Sequence, residues 1–352
     1  MVRLLIVEDS PVARSILLFV LGSDPEIQVV GSAADGSEAI EMVERLKPDV
    51  VTMDINMPKM NGLEATRKIM QTRPVPIIIV SGSYDTSDIA ATFQAVDAGA
   101  VAVLPRPYGI GNPMFQTQAY DLVRTVKLMA EVKVIHRIGN VPALDRSPAI
   151  RTTSRVGKVS VIVPVRFIAI GASTGGPIAL RTILGMLPRD FPIPIGIVQH
   201  MAPGFITGFV TWLSQACSRT IRVANQGDPI EPENIYIAPD DAHLKIERGN
   251  RLVLTQDAPV NGLRPAVSTL FRSVADAYGA AAAGVLLTGM GKDGACELGL
   301  MKELGAVTIA QDEASSIVYG MPGEAVRIGA ARYELPLDEI ATALTQLAGQ
   351  SL

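Results

Sequence analysis

Short apolar runs alternate with longer stretches of helical periodicity along the first 125 residues. Five runs rich in β-branched residues predict strands, at residues 4–7, 27–33, 50–53, 76–80 and 100–104. Between them, as in segment 37–46, apolar residues recur every three or four positions, which predicts helices. This alternation predicts an α/β fold with a parallel, doubly wound sheet.

The alternation is interrupted in the middle of the chain. Residues 120–136 predict a closing helix, and residues 137–158 mix Gly, Pro, Ser, Arg and Thr without periodicity, which is typical of a linker. Six further runs then predict the strands of a second domain, at residues 166–171, 192–199, 234–239, 251–255, 283–289 and 305–311. We expect two doubly wound parallel-sheet domains, over 1–125 and 161–350, separated by a helix end and linker over 126–160.

Composition narrows the possible classes of protein. The chain has 31 Lys and Arg against 35 Asp and Glu, and this net charge of −4 without a basic run argues against nucleic-acid binding. No apolar run approaches the roughly 20 residues that a membrane span needs, so we expect no membrane insertion. The two cysteines, Cys217 and Cys296, lie far apart, and a strand begins almost at once without a signal peptide. Both features predict a cytoplasmic protein.

Acidic side chains follow the strands of the first predicted sheet. Glu8 and Asp9 follow the first strand, Asp54 the third, and Ser81 the fourth. The carboxyl ends of parallel strands meet at one edge, so these groups are expected to cluster. Such a cluster would hold Mg²⁺, which would neutralise an incoming phosphoryl group beside a carboxylate nucleophile. Each residue alone also fits an ordinary turn, but the ordered set does not.

These motifs resemble the response-regulator receiver family, which has a flavodoxin-like fold. The matching segments are VEDS (7–10), MDINMP (53–58), NG (61–62) and SGS (81–83). The resemblance implies that Asp54 is the phosphoacceptor. It implies that Mg²⁺ is held by Glu8, Asp9, Asp54 and the backbone carbonyl of Asn56, and that the phosphoryl group is contacted by Ser81 and Arg106. It also implies a histidine kinase as phosphodonor.

Two positions depart from the receiver pattern. Arg106 stands before Pro107 where the family has lysine, and Val103 stands where it has an aromatic switch residue. Arginine keeps the positive charge and can pair with Asp54 or its phosphate, but it presents a planar fork. We therefore expect Asp54 still to accept phosphate, but we expect phosphorylation to raise the activity of the second domain only modestly.

The second half contains a glycine-rich turn, GASTG (171–175), between a predicted strand and a predicted helix. The pattern G-x-S-x-G in this context is typical of a nucleophile elbow, which exposes the hydroxyl of Ser173. The helix N-terminus and the Thr174 N–H could face a developing oxyanion. A phosphate-binding loop is the competing interpretation, but the turn lacks G-x-G-x-x-G and a P-loop lysine.

A serine nucleophile needs a base and an orienting acid. Of the three histidines, His136 lies at the linker, His200 ends a predicted strand on the same edge as Ser173, and His243 lies in a predicted turn. We favour His200 as the base, with His243 as the alternative. Asp293, just past a predicted strand in TGMGKDGA, is the candidate acid, although a glycine-rich turn can also hold an aspartate.

GASTGGP, QHM and GMGKDGA together resemble the CheB family of chemotaxis protein-glutamate methylesterases, in which a receiver and linker precede the catalytic domain. The resemblance implies hydrolysis of γ-glutamyl methyl esters on cytoplasmic helices of methylated chemoreceptors. It further implies glutamine deamidation, a second oxyanion donor at the Met290 backbone, and no cofactor for the hydrolase. In LRPAVSTLF (263–271), Ala266 and Ser268 depart from the Ser and Asp that the family usually has.

Two other functions stay open. A receiver-controlled serine hydrolase could act on another protein ester or amide outside chemotaxis, because pocket walls rather than the triad determine specificity. A non-catalytic signalling adaptor is the second alternative. The complete set of serine, histidine and aspartate argues against the adaptor.

Overall fold

The computed structural model describes residues 1–82, 86–132 and 163–349, and the chain divides into two compact units, Met1–Arg151 and Thr152–Leu352. Both units have the predicted α/β fold with parallel sheets, so the predicted fold class is confirmed. The predicted linker and His136 lie outside the described residues, and the predicted domain bounds stay predictions. No helix in the described parts is both long and apolar enough to cross a membrane.

The first unit has a five-stranded parallel sheet in the order β2-β1-β3-β4-β5. Side chains at strand ends begin its helices: the Ser10 hydroxyl and the Asp35 carboxylate each accept a backbone N–H in the first turn of the helix that follows. The elements are β1 (Val2–Val7), α1 (Pro11–Gly22), β2 (Ile27–Ala33), α2 (Gly36–Leu46), β3 (Val50–Met53), α3 (Gly62–Thr72), β4 (Ile77–Ser81), α4 (Thr86–Asp97), β5 (Ala102–Pro105) and α5 (Phe115–Ala130).

The closing helix of this unit differs from the prediction. It runs over Phe115–Ala130 rather than over 120–136. Its buried residues, Leu122, Val126 and Met129, form one apolar stripe, which ends with the helix. Glu131 and Val132 follow the helix, and residues 133–136 of the predicted helix lie outside the described residues.

The second unit has a seven-stranded parallel sheet in the order β14-β13-β12-β6-β7-β9-β8, and a separate two-stranded sheet, β10-β11. The elements are β6 (Phe167–Ala172), α6 (Gly176–Met186), β7 (Ile195–Gln199), α7 (Ile206–Cys217), β8 (Ile221–Val223), β9 (Ile235–Ile237), β10 (His243–Glu247), β11 (Arg251–Thr255), α8 (Val267–Tyr278), one 3₁₀ turn (Gly279–Ala281), β12 (Ala282–Leu286), α9 (Ala295–Glu303), β13 (Val307–Gln311), α10 (Met321–Arg327), β14 (Tyr333–Leu335) and α11 (Leu337–Gly349).

One predicted strand belongs to a different sheet. The run at 251–255 forms β11, but it pairs antiparallel with β10 in a hairpin. Leu244, Ile246 and Leu252 of this hairpin are buried in the same core cluster as α8. His243 is the first residue of β10, so its predicted place in a turn was wrong.

Both parallel sheets contain a point where strand order reverses, which is where α/β proteins form ligand crevices. In the first unit β1 lies between β2 and β3, so the chain crosses to opposite sides of β1. In the second unit β6 lies between β12 and β7. The loops after β1 and β3, and those after β6, β7 and β12, carry most of the candidate site residues, while Ser81 ends β4 and Arg106 follows β5.

Candidate active site

The turn after β6 presents Ser173 at the reversal point of the second sheet. Gly175 has φ +81°, a conformation that glycine adopts without strain, and it leads directly into α6. The Ser173 N–H donates to the Thr288 carbonyl at 3.0 Å. A Cβ on Gly289 would lie 2.7 Å from the Ser173 Cβ, so only glycine lets the loop after β12 approach this closely.

His200 and Asp293 meet at the same edge. The His200 Nε2 lies 2.9 Å from the Asp293 Oδ2, and the two side chains are only 11% and 4% exposed. The first turn of α8 holds the carboxylate: the Val267 N–H donates to Oδ2 at 2.6 Å and the Ser268 N–H to Oδ1 at 3.1 Å. A helix N-terminus favours a negative charge at this place.

The charge state of Asp293 suits an orienting acid. Burial alone would raise the pKa of Asp293, but the hydrogen bond and charge of His200 outweigh it and hold this pKa below the ordinary value. An ionised Asp293 fixes the imidazole and stabilises an imidazolium. Because Asp293 takes Nε2, the nitrogen that remains for the serine proton is Nδ1. The described contacts include no hydrogen bond from Ser173 to His200, and such bonds are often longer without substrate.

His243, the alternative base, is surrounded by backbone groups that use both of its ring nitrogens. It is buried, its Nδ1 accepts the Ala266 N–H at 3.2 Å, and its Nε2 lies 3.3 Å from the Ala258 carbonyl oxygen. Backbone groups therefore occupy both ring nitrogens. This arrangement favours His200 over His243 as the base.

Two backbone N–H groups near Ser173 could stabilise an oxyanion. Those of Thr174 and Met290 donate to no other described residue. The Gly289 carbonyl, in the same peptide unit as the Met290 N–H, accepts from Gly320 N at 3.2 Å and Met321 N at 2.8 Å. A Cβ on Gly320 would lie 2.7 Å from that carbonyl oxygen. The start of α10 therefore sets the direction of the Met290 N–H.

Several supporting residues were not identified from the sequence. Thr288 is buried, and its hydroxyl donates to the Thr174 carbonyl at 2.9 Å while accepting the Val318 N–H at 2.9 Å. The Gln311 Oε1, at the end of β13, accepts the Thr288 N–H at 2.8 Å. A polar residue at the end of an otherwise apolar strand was the available signal for Gln311, and Gln199 at the end of β7 shares it.

The first unit brings its predicted acidic residues together. Oxygens of Glu8, Asp9 and Asp54 all lie within 4.8 Å of one another. A Cβ on Gly62 would lie 2.0 Å from the Asp54 carbonyl oxygen, so glycine is needed where α3 begins. Burial, and then the charge of Glu8, raise the pKa of Asp54 to about 7, although Arg106 acts in the opposite direction. This mutual repulsion makes the pocket suited to a cation.

Arg106 was expected to pair with Asp54 or its phosphate, but in the structure it pairs with Glu8. Its Nη1 lies 2.9 Å from both carboxylate oxygens of the fully buried Glu8. The guanidinium packs against Gly82 so closely that a Cβ there would lie 1.9 Å from Nη2. A single guanidinium nitrogen therefore makes a charge-assisted contact with both oxygens of this carboxylate.

Three predicted contacts with bound groups stay predictions. Ser81 is buried at the end of β4, where its carbonyl accepts the Arg106 N–H at 2.8 Å. Asn56 lies exposed in the loop after β3. Their positions beside the acidic pocket are compatible with a phosphoryl contact by Ser81 and Arg106 and with a metal contact by the Asn56 carbonyl.

Comparisons with known proteins match both units. Residues 168–344 match the family described as CheB methylesterase, and residues 4–112 match the response regulator receiver domain. A protein-glutamate methylesterase/protein-glutamine glutaminase of Nitrosospira multiformis is 51% identical over 99% of this chain and 98% of its own length. One from Geobacter metallireducens is 54% identical over 99% of both chains. The crystal structure of the Thermotoga maritima CheB methylesterase catalytic domain is 37% identical, with a TM-score of 0.51, and covers 53% of this chain and 100% of that one.

Proposed function

This chain belongs to the CheB methylesterase family, and we propose that its second unit hydrolyses γ-glutamyl methyl esters on the cytoplasmic helices of chemoreceptors. The observation that carries the proposal is the meeting, at one sheet edge, of Ser173, the His200–Asp293 pair and two backbone N–H groups that have no partner among the described residues. The names of the relatives support the substrate class. They also support deamidation of glutamine, since an amide passes through the same acyl chemistry with ammonia as the leaving group.

The geometry supports a covalent mechanism. The Ser173 Oγ attacks the ester carbonyl while His200 Nδ1 takes its proton, and Asp293 stabilises the resulting imidazolium. The N–H groups of Thr174 and Met290 stabilise the oxyanion of the tetrahedral intermediate. His200 then gives the proton to methanol as the C–O bond breaks. Water attacks the acyl-serine by the same route, which releases glutamate and restores the serine.

A covalent probe tests the nucleophile independently of the substrate. A fluorophosphonate phosphonylates an activated serine and expels fluoride, so we expect one label per chain, on the peptide that contains Ser173. Labelling at any other serine, or none, would contradict the assignment.

In the first unit we propose that Asp54 accepts a phosphoryl group from a histidine kinase. Three carboxylates whose oxygens lie close together repel one another, and they suit Mg²⁺, which prefers oxygen ligands. Glu8, Asp9, Asp54 and the Asn56 carbonyl would hold the ion, which when bound neutralises charge on the phosphoryl group. Ser81 and Arg106 would contact that group.

We expect Asp54→Asn to stabilise the metal-free protein while abolishing phosphorylation. The pKa of Asp54 is raised to about 7 in the folded protein, so its ionisation opposes folding increasingly as pH rises from the ordinary aspartate value towards 7. Removing that charge should raise the receiver melting temperature by at least about 4 °C at roughly pH 8. Calorimetry should show the gain vanish by about pH 3, below the ordinary aspartate pKa, where the unfolded carboxyl is also largely protonated. An equal gain at both pH values would contradict this electrostatic cause.

We expect phosphorylation of Asp54 to stimulate the esterase only modestly, because Arg106 must leave Glu8 before it can reach the phosphoryl group. Arg106→Lys should change this stimulation more than it changes the phosphorylation rate, since lysine presents a compact point charge in place of the planar guanidinium. Esterase rate and Asp54 phosphate occupancy, measured together with a small phosphodonor, test this. A large stimulation in the natural protein that Arg106→Lys leaves untouched would refute this role of Arg106.

We expect Gly320→Ala to lower kcat by about 10-fold or more, because its Cβ would displace the Gly289 carbonyl and with it the Met290 N–H. Gly320 has φ −90°, so alanine meets the clash without backbone strain. Gly185→Ala, in α6 with no atom near the new Cβ, is the control and should keep full activity. Steady-state hydrolysis of a small activated ester measures both, and equal rates would contradict the claim.

A further inference from the structure

Gln199 ties together the backbones of the two reacting residues. It ends β7, is 3% exposed, and its Nε2 donates to the carbonyl oxygens of Ser173 and His200, at 2.9 Å each. Only the amide nitrogen can face two carbonyl oxygens, so the contacts also determine the orientation of the amide. Both donors of one buried side chain are therefore used to connect the turn after β6 with the turn after β7.

The bond to Ser173 has a consequence for the neighbouring peptide group. The Ser173 carbonyl and the Thr174 N–H belong to one planar trans unit, in which they point in opposite directions. The Ser173 carbonyl is held by Gln199 and by the Gly176 N–H at 2.8 Å. Fixing this oxygen on the interior side directs the Thr174 N–H, which has no described partner, towards the opposite side, where the oxyanion would form.

The surroundings of Gln199 are built for this amide. A Cβ on Gly176 would lie 2.0 Å from the Gln199 Oε1, so glycine provides the space for it. The Oε1 is buried without a hydrogen-bond partner among the described residues. An unpaired buried amide oxygen lowers stability, so an apolar side chain would serve better here if only stability mattered. The two bonds made by Nε2 are the feature that an apolar residue would lack.

We infer that Gln199 is a positioning residue, which sets the direction of the Thr174 oxyanion donor and holds the nucleophile and base in register. This inference rests on the proposed hydrolase function. Gln199 touches no reacting atom itself. Its loss should therefore lower the rate of the chemical step and leave substrate binding and the accessibility of Ser173 unchanged.

The test is Gln199→Met in the full-length chain, since methionine has a similar length and no donor. We expect kcat for a small activated ester to fall by about 10²-fold while KM changes by less than about three-fold. The rate of fluorophosphonate labelling at Ser173 should fall in parallel, because the phosphonylation transition state uses the same donors.

A matched control separates positioning from general destabilisation. The buried Thr308, in β13, also makes two bonds to backbone groups, to Ala330 O at 2.9 Å and from Arg332 N at 3.0 Å. Thr308→Val should lower the melting temperature comparably but keep kcat within about two-fold. An equal loss of kcat in both variants, or a Gln199→Met enzyme within about three-fold of the natural one, would overturn the inference.

Two further variants keep the outcome decisive. If Gln199→Met does not fold, Gln199→Leu also lacks both donors, so the same loss of kcat is expected. Ser173→Ala is measured alongside. Full activity in Ser173→Ala would refute the proposed function, whereas its inactivity beside a fully active Gln199 variant would refute the role of Gln199 alone.

Discussion

Replacing Ser173 by alanine is expected to abolish ester hydrolysis while the protein stays folded. The hydroxyl is the only group removed, and the Ser173 backbone contacts to Thr288 and Gly176 do not need it. Without the nucleophile the oxyanion donors alone remain, and kcat should fall by roughly 10⁴–10⁶-fold. Steady-state kinetics with an activated ester, together with a thermal melt, measure both parts of the expectation.

The result is informative only if folding is unchanged. The melting temperature of Ser173→Ala should match the natural protein, and Asp54 should still accept phosphate, because Ser173, His200 and Asp293 all lie in the second unit. A folded Ser173→Ala protein that retains more than about a per cent of the activity would show that catalysis does not pass through an acyl-serine.

The second large effect is expected at His200. His200→Gln removes the group that takes the serine proton, and a general base typically contributes about 10²–10⁴-fold. His243→Gln should be far milder in kcat, because both ring nitrogens of His243 are bonded to backbone groups. Its main effect should be on stability, through the lost support of Ala266.

The pair of variants serves as its own control. Both exchange a histidine for glutamine in the second unit, and only His200 contacts Asp293. The ratio of their kcat values therefore reports the catalytic role of His200 separately from the loss of an imidazole. Equal losses, or a larger loss at His243, would reverse the assignment of the base.

The sequence predicted the residues that follow long apolar strands. Ser173, His200 and Asp293 were each placed at a strand end, and parallel topology then requires these ends to meet at one edge. The same reasoning brought Glu8, Asp9 and Asp54 together, and the structure agrees. Strand order was not needed, because a parallel sheet has one carboxyl edge whatever its order.

Contacts made by backbone groups could not be predicted. The Val267 and Ser268 N–H groups hold Asp293 because α8 begins there, and the side-chain pattern does not reveal that approach. The contact from Ser268 is made by its backbone N–H, so the family's usual aspartate is not needed at this position for that contact. Strand β10, which begins at His243, was missed because only Leu244 and Ile246 of its five residues are aliphatic. Its partner β11 was predicted as a strand.

The partner that a long side chain reaches was the other feature that could not be predicted from the sequence. Arginine in place of lysine at position 106 was visible in the sequence, but its choice of Glu8 depends on the close approach of Gly82 and on a carboxylate that is completely buried. The raised pKa of Asp54 likewise arises from burial, which the sequence predicts only coarsely.

The most direct measurement of the central claim is methanol release from membranes that carry methylated chemoreceptors. The natural chain should release methanol in proportion to the methyl groups lost, and Ser173→Ala at the same concentration should release none above background. Methanol release that is equal for both proteins would contradict the serine mechanism. No release by the natural chain, when it is still labelled at Ser173 by a fluorophosphonate, would show a serine hydrolase that acts on a different substrate.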